Sequence, residues 1–181
     1  MIHQSVRALA VFNARTYLEK KGSVETPDGS NQGFWIDRFK QMFGGGKDWA
    51  WCMYYVQGTL KESFDIFNPL LGWVNPFDSM KLSERGHCMS VWRYALGDNR
   101  LHILPTRAIV AGEKIPLNSI FILGHADDTG HTGWVVSHWQ NDNNHQQDII
   151  CTMEGNKSNR VNTGKYTLAG LVGKGLKGCI Y

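Results

Sequence analysis

Several chemistries are closed off by what this 181-residue chain lacks. Its 19 Lys and Arg residues are scattered and form no basic run, so the net charge of +3 favours an anionic surface without indicating nucleic-acid binding. Cysteines stand only at 52, 88, 151 and 179, with no CxxC pair and no zinc-ligand spacing, and mostly free thiols are expected. No stretch approaches the ~18 apolar residues of a membrane span. The segment Met1 to Leu18 contains Arg7 and Arg15 and lacks the continuous apolar region of a secretory signal, so a cytoplasmic location in the producing cell is expected. There is no internal repeat and no linker, and one domain over residues 1–181 follows.

What is present describes an ordinary globular chain, 42% hydrophobic and 19% charged. Seven tryptophans exceed what one core of this size usually needs, which allows some of them to line a groove for a polymer or sugar. Apolar spacing predicts a helix over residues 3–20, with Val6, Leu9, Ala10, Asn13 and Tyr17 near one stripe and Gly22 and Pro27 as punctuation. A second helix is expected over Phe34 to Phe43, ended by Gly44-Gly45-Gly46, and a third from Trp51 or Cys52 to about Phe64. Asn68 to Asp78 reads as loop, and Ser83 to Leu96 as a helix capped by its serine. Beyond Pro116 the pattern changes to short runs at Ser119–Leu123, Thr132–Trp139, Asp148–Glu154 and Arg160–Tyr166, with Gln140 to Gln147 as a polar hairpin loop. Helices first and strands later imply an α+β fold, N-terminal helices packing on a C-terminal antiparallel sheet.

Cys52 falls where the glycine-rich turn meets a predicted helix, beside free N–H groups and the positive end of the helix dipole, and both favour the thiolate. An isolated cysteine is usually only a small buried apolar residue, so its neighbours decide the matter. His131 opens a strand in Gly130-His131-Thr132-Gly133. On the following strand, alternation puts Ile150, Thr152 and Glu154 on one face with Asn156 continuing it, so either Glu154 or Asn156 can orient the imidazole. His125, Asp127 and Asp128 read as a polar loop at the cleft rather than as metal ligands. His87 and Cys88, adjacent on a predicted helix, diverge in direction and read as structural.

Taken together, Asn31-Gln32-Gly33, Trp35-Ile36-Asp37-Arg38-Phe39, Trp51-Cys52, Gly130-His131-Thr132-Gly133 and Glu154-Gly155-Asn156 resemble the CHAP family of cysteine, histidine-dependent amidohydrolases/peptidases over residues 30–172. The resemblance implies a papain-like fold without metal or cofactor. It makes Cys52 the nucleophile, His131 the general base and acid, and Glu154 and Asn156 the groups orienting the histidine. Asn31, Trp49, Trp51 and Trp134, which lie in or beside these blocks, are the candidates for substrate contact. Residues 65–115 look longer than the family's usual connection from cysteine to histidine and read as an insertion. Leu117-Asn118-Ser119 replaces the usual Pro-Gly-Asp turn.

The activity so implied is cleavage of an amide bond in peptidoglycan through a thioester, either the N-acetylmuramoyl-L-alanine bond or one within the stem peptide. Without an export signal the enzyme has to reach the wall by delivery as an antibacterial effector or by phage lysis. A delivered toxin implies an immunity protein that plugs the cleft in the producing cell. Two other readings stay open: a cysteine amidohydrolase acting on a soluble small molecule or peptide, and a catalytically silent binding module.

Overall fold

Val6, Ala10 and Ala14 recur at four-residue spacing and form the buried stripe of helix α1, Gln4–Thr16. The computed structural model describes residues 2–18, 20 and 23–181. The first helix therefore stops short of the expected residue 20, while Gly22 lies outside the described residues. Helix α2, Phe34–Gln41, buries Ile36 and Phe39 and leaves Phe34 exposed. Its carbonyls are closed by the glycine turn, where Gly45 N–H donates to Lys40 O at 2.8 Å.

Helix α3, Cys52–Leu71, is enclosed without a break from Cys52 to Leu60. It runs seven residues past the expected end at Phe64, and the expected loop from Asn68 begins only at Gly72, a left-handed cap whose N–H reaches Asn68 O at 2.8 Å. The last turns expose Ile66, Leu70 and Leu71, so the buried periodicity fades although the helix continues. Short 3-10 turns follow at Pro76–Ser79 and Leu82–Glu84. Helix α4 is Cys88–Gly97, so the expected start at Ser83 is corrected: Ser83 belongs to the 3-10 turn, and His87 caps α4 by accepting Ser90 N–H at Nδ1, 3.2 Å.

The remainder comprises β1 (Ile103–Pro105), α5 (Thr106–Val110), β2 (Ile120–Gly124), β3 (Gly130–Trp139), β4 (Ile149–Glu154), β5 (Asn162–Thr167), α6 (Leu168–Gly173) and β6 (Leu176–Ile180). All pairings are antiparallel in one sheet of order β1-β6-β2-β3-β4-β5, and the fold is α+β. The four anticipated runs became β2 to β5. Strands β1 and β6 were not anticipated: β1 spans three residues and ends in proline, and Gly178 interrupts the alternation of β6.

The sheet is covered on both faces. Ile120, Ile122, Trp134 and Met153 pack against α1, α3 and α4. Phe121, Leu123, Val135 and Ile150 face the opposite way, toward Ile109 of α5 and Leu168 and Leu171 of α6. Strand β2, enclosed on both sides, is buried at every position, which explains its unbroken apolar run. Among the described residues no helix is long and apolar enough to cross a membrane, and all four cysteines are free.

Gly58 marks the closest approach of α3 to α2, since a Cβ there would strike the buried Phe39 ring. In Gly58→Ala, overpacking of about 1–3 kcal/mol should outweigh the ~1 kcal/mol gained in helix propensity. Calorimetry should show a melting temperature lower by roughly 5 °C; an unchanged value would mean that the ring moves aside freely.

Candidate active site

The N-terminus of α3 is left open by its own sequence. Trp51 occupies the cap position without a side-chain hydrogen bond to the helix, and the first turn carries no acidic residue. The opening N–H groups are therefore free to act on the first side chain, Cys52, and the Met53 N–H is hydrogen-bonded to its sulfur. A polar lattice fixes the preceding turn. Buried Glu25 accepts from Trp51 Nε1 and from Asn31 N–H, both at 2.9 Å. The buried Lys40 ammonium donates to Asn31 O at 2.5 Å and to Lys47 O.

His131 stands second in β3, and Glu154 closes β4. In the antiparallel register Val135 opposes Thr152, so by alternation His131, Gly133, Thr152 and Glu154 share one face. Glu154 reaches diagonally to His131 across Gly133. A Cβ at 133 would stand 2.8 Å from Glu154 Cγ and 2.5 Å from Met153 O, so a side chain there would occupy the path. Glu154 Oε2 lies 2.7 Å from His131 Nε2, which leaves Nδ1 of the ring for Cys52, a neighbour close enough to favour the imidazolium.

Glu154 has no exposed surface, and an unpaired carboxylate there would be strongly disfavoured. It is held by Thr152 Oγ1, by Lys157 Nζ at 3.1 Å and by Tyr166 OH at 3.0 Å, in addition to His131. Burial favours its neutral form, but the bonds from His131 and Thr152 and the charges of His131 and Lys157 bring it down to about 2. Burial likewise opposes the imidazolium of His131, yet Cys52 and Glu154 outweigh it and raise it to about 9. The Cys52 thiol sits well below its ordinary value: the hydrogen bond with Cys88 contributes most, burial opposes it, and His131 and the Met53 N–H add to the lowering. These displacements favour the thiolate of Cys52, the imidazolium of His131 and the carboxylate of Glu154.

No family model, curated protein or solved structure matches this chain.

Cys52 forms part of the floor of a cleft of ≈ 510 Å³. Trp49, about half exposed, stands on its wall with Tyr54, and the facing wall comes from Ser83 to Arg93, within the segment read as an insertion. Two expected substrate contacts are corrected. Trp51 and Trp134 are fully buried, with Trp51 Nε1 on Glu25 and Trp134 Nε1 on Thr59 Oγ1 at 3.1 Å, so neither presents a face to the cleft. Asn31 and Asn156 meet each other instead, Asn156 Nδ2 donating to Asn31 Oδ1 at 3.1 Å, so Glu154 and not Asn156 holds the imidazole.

The loop before His131 is internally bonded: Asp127 accepts from Thr129 Oγ1 at 2.5 Å, and Asp128 pairs with Arg93 at 2.7 and 3.1 Å across the cleft rim. Among the described residues no group of three His, Cys, Asp or Glu is disposed as a metal site. Cys88, expected to be structural and without a partner, places its sulfur 3.7 Å from that of Cys52, because α3 and α4 begin at the same point. Thr152, Lys157 and Tyr166 were also missed. Tyr166 opposes Ile150 and so shares the face of Glu154, but that register is visible only once the strands are paired.

Glu154→Gln removes the charge that favours the imidazolium, so the His131 titration, followed by its ring protons in nuclear magnetic resonance, should fall from about 9 by about 1–2 units. A titration that stays in place would assign the raised value to Cys52 alone.

Proposed function

We propose that this chain is a cysteine amidohydrolase of the CHAP type with a papain-like arrangement, acting on an amide bond of peptidoglycan. The observation that carries the reading is the line from Cys52 at the open N-terminus of α3, through His131, to buried Glu154. A thiol at a helix N-terminus, an imidazole and a buried carboxylate that holds it support the roles of nucleophile, base and orienting group.

In this reading the Cys52 thiolate attacks the amide carbon, and the tetrahedral oxyanion develops beside the N–H groups that open α3. The His131 imidazolium gives its Nδ1 proton to the departing amine, leaving a thioester and a neutral ring. The same nitrogen then takes a proton from water, which attacks the thioester; collapse releases the acid and restores the ion pair. Glu154 keeps the ring in one orientation and stabilises its charged form without taking the proton. The cleft beside the sulfur, its exposed Trp49 and the net charge of +3 suit an anionic wall polymer carrying a peptide. The protein acts at the wall after delivery or lysis, and an inhibitor that plugs the cleft protects the producer.

Defined muropeptides incubated with the wild type should yield a new fragment by mass spectrometry, and Cys52→Ala should lower its rate by roughly 10⁴-fold or more. The fragment mass identifies the bond. Cleavage that survives in Cys52→Ala would overturn the nucleophile. Inert muropeptides together with a reactive Cys52 would move the assignment to a soluble amide, for which a cleft of ≈ 510 Å³ is also large enough.

A further inference from the structure

The two sulfurs on the cleft floor are 3.7 Å apart, and both residues are buried. Each is the first residue of its helix, Cys52 of α3 and Cys88 of α4, so the positive ends of two helices meet where the sulfurs do. Two thiolates at this separation in a desolvated site would repel strongly, and only one sulfur carries the charge. The groups around the pair decide which. His131 of β3 lies beside Cys52 and favours its thiolate. His87 is turned toward the Ser90 N–H as the cap of α4, and Arg93 is engaged by Asp128 at the rim. Glu84 and Tyr54 line the cleft, and among the described residues no carboxylate hydrogen-bonds either sulfur. The charge belongs on Cys52, and Cys88 retains its proton.

We propose that Cys88 is a positioning residue for the nucleophile, its S–H donating a hydrogen bond to the Cys52 thiolate and holding that thiolate ready in the free enzyme. The inference rests on Cys52 being the reactive thiolate, but it needs no particular substrate. The opposite displacement of the two thiols, Cys52 well down and Cys88 well up, agrees with a donor and an acceptor. When Cys52 becomes a thioester the acceptor charge disappears, so the contact favours the free thiolate over the acylated sulfur.

The test is the pH dependence of iodoacetamide alkylation, with each cysteine assigned by peptide mass spectrometry, in wild type, Cys88→Ala and Cys88→Ser. In the wild type Cys52 should react well below the pH of an ordinary thiol, before Cys88. Cys88→Ala should move the Cys52 midpoint up by about one unit, so that alkylation on the acid side slows about tenfold. Cys88→Ser retains a donor and should lie closer to the wild type. A Cys52 profile unchanged in Cys88→Ala, an equal shift in the Ser and Ala variants, or a Cys88 that reacts first would each overturn the proposal while leaving Cys52 reactive. A wild-type Cys52 that behaves as an ordinary thiol would overturn both this proposal and the nucleophile it depends on.

Discussion

A carboxylate with no solvent around it, Glu154, is the constraint from which the rest of the candidate site follows. Left alone it would take up a proton and lose its hold on the imidazole. It remains charged because hydrogen-bond donors arrive from several places at once: Thr152 on its own strand, Tyr166 on β5, Lys157 in the connection between them and His131 on β3. Three adjacent strands must therefore be in register before the histidine has a fixed orientation. The sheet's edge, remote in sequence from the cysteine, is thereby part of the chemistry at Cys52.

The complementary requirement lies on the helical side. Cys52 needs free N–H groups, so α3 has to begin abruptly, and Trp51 is held by its indole to Glu25 rather than serving as a side-chain cap. Glu25 also holds Asn31, and Lys40 draws in the carbonyls of residues 31 and 47, so one buried lattice shapes the approach to the helix. Burial of these charged groups is tolerable only because each has partners. Trp51, conspicuous beside Cys52 in the sequence, is buried and bonded to Glu25 instead.

Legibility in the sequence followed the physics of each element. Helix α2 and strands β3 to β5 show themselves through periodicity, while β2 and the first half of α3, buried all round, show themselves as apolar runs bounded by turn residues. The end of α3 and the three-residue β1 do not, since exposed helix turns and very short strands leave no such record. In the candidate site Cys52, His131 and Glu154 were singled out by helix start, strand start and strand alternation only together with the resemblance of the blocks around them, since each alone passes for a structural residue. Cys88 was not, because its nearness to Cys52 depends on two helices, whose first residues are 36 apart in sequence, starting at one point. Asn156 was misassigned to the histidine because alternation stops where the strand stops, and the chain has already turned at φ 58°.

The segment 65–115 supplies the wall opposite Trp49 and carries Cys88, so the connection read as an insertion also completes the surroundings of Cys52.

Gly133 extends the argument to a position with no side chain. A Cβ at this position would crowd the Glu154 side chain on its way to His131, so the site is specified as much by an empty volume as by the side chains around it. Transplanting the histidine and glutamate onto another antiparallel sheet would carry over both side chains and still fail to join them wherever the intervening position bore a methyl group.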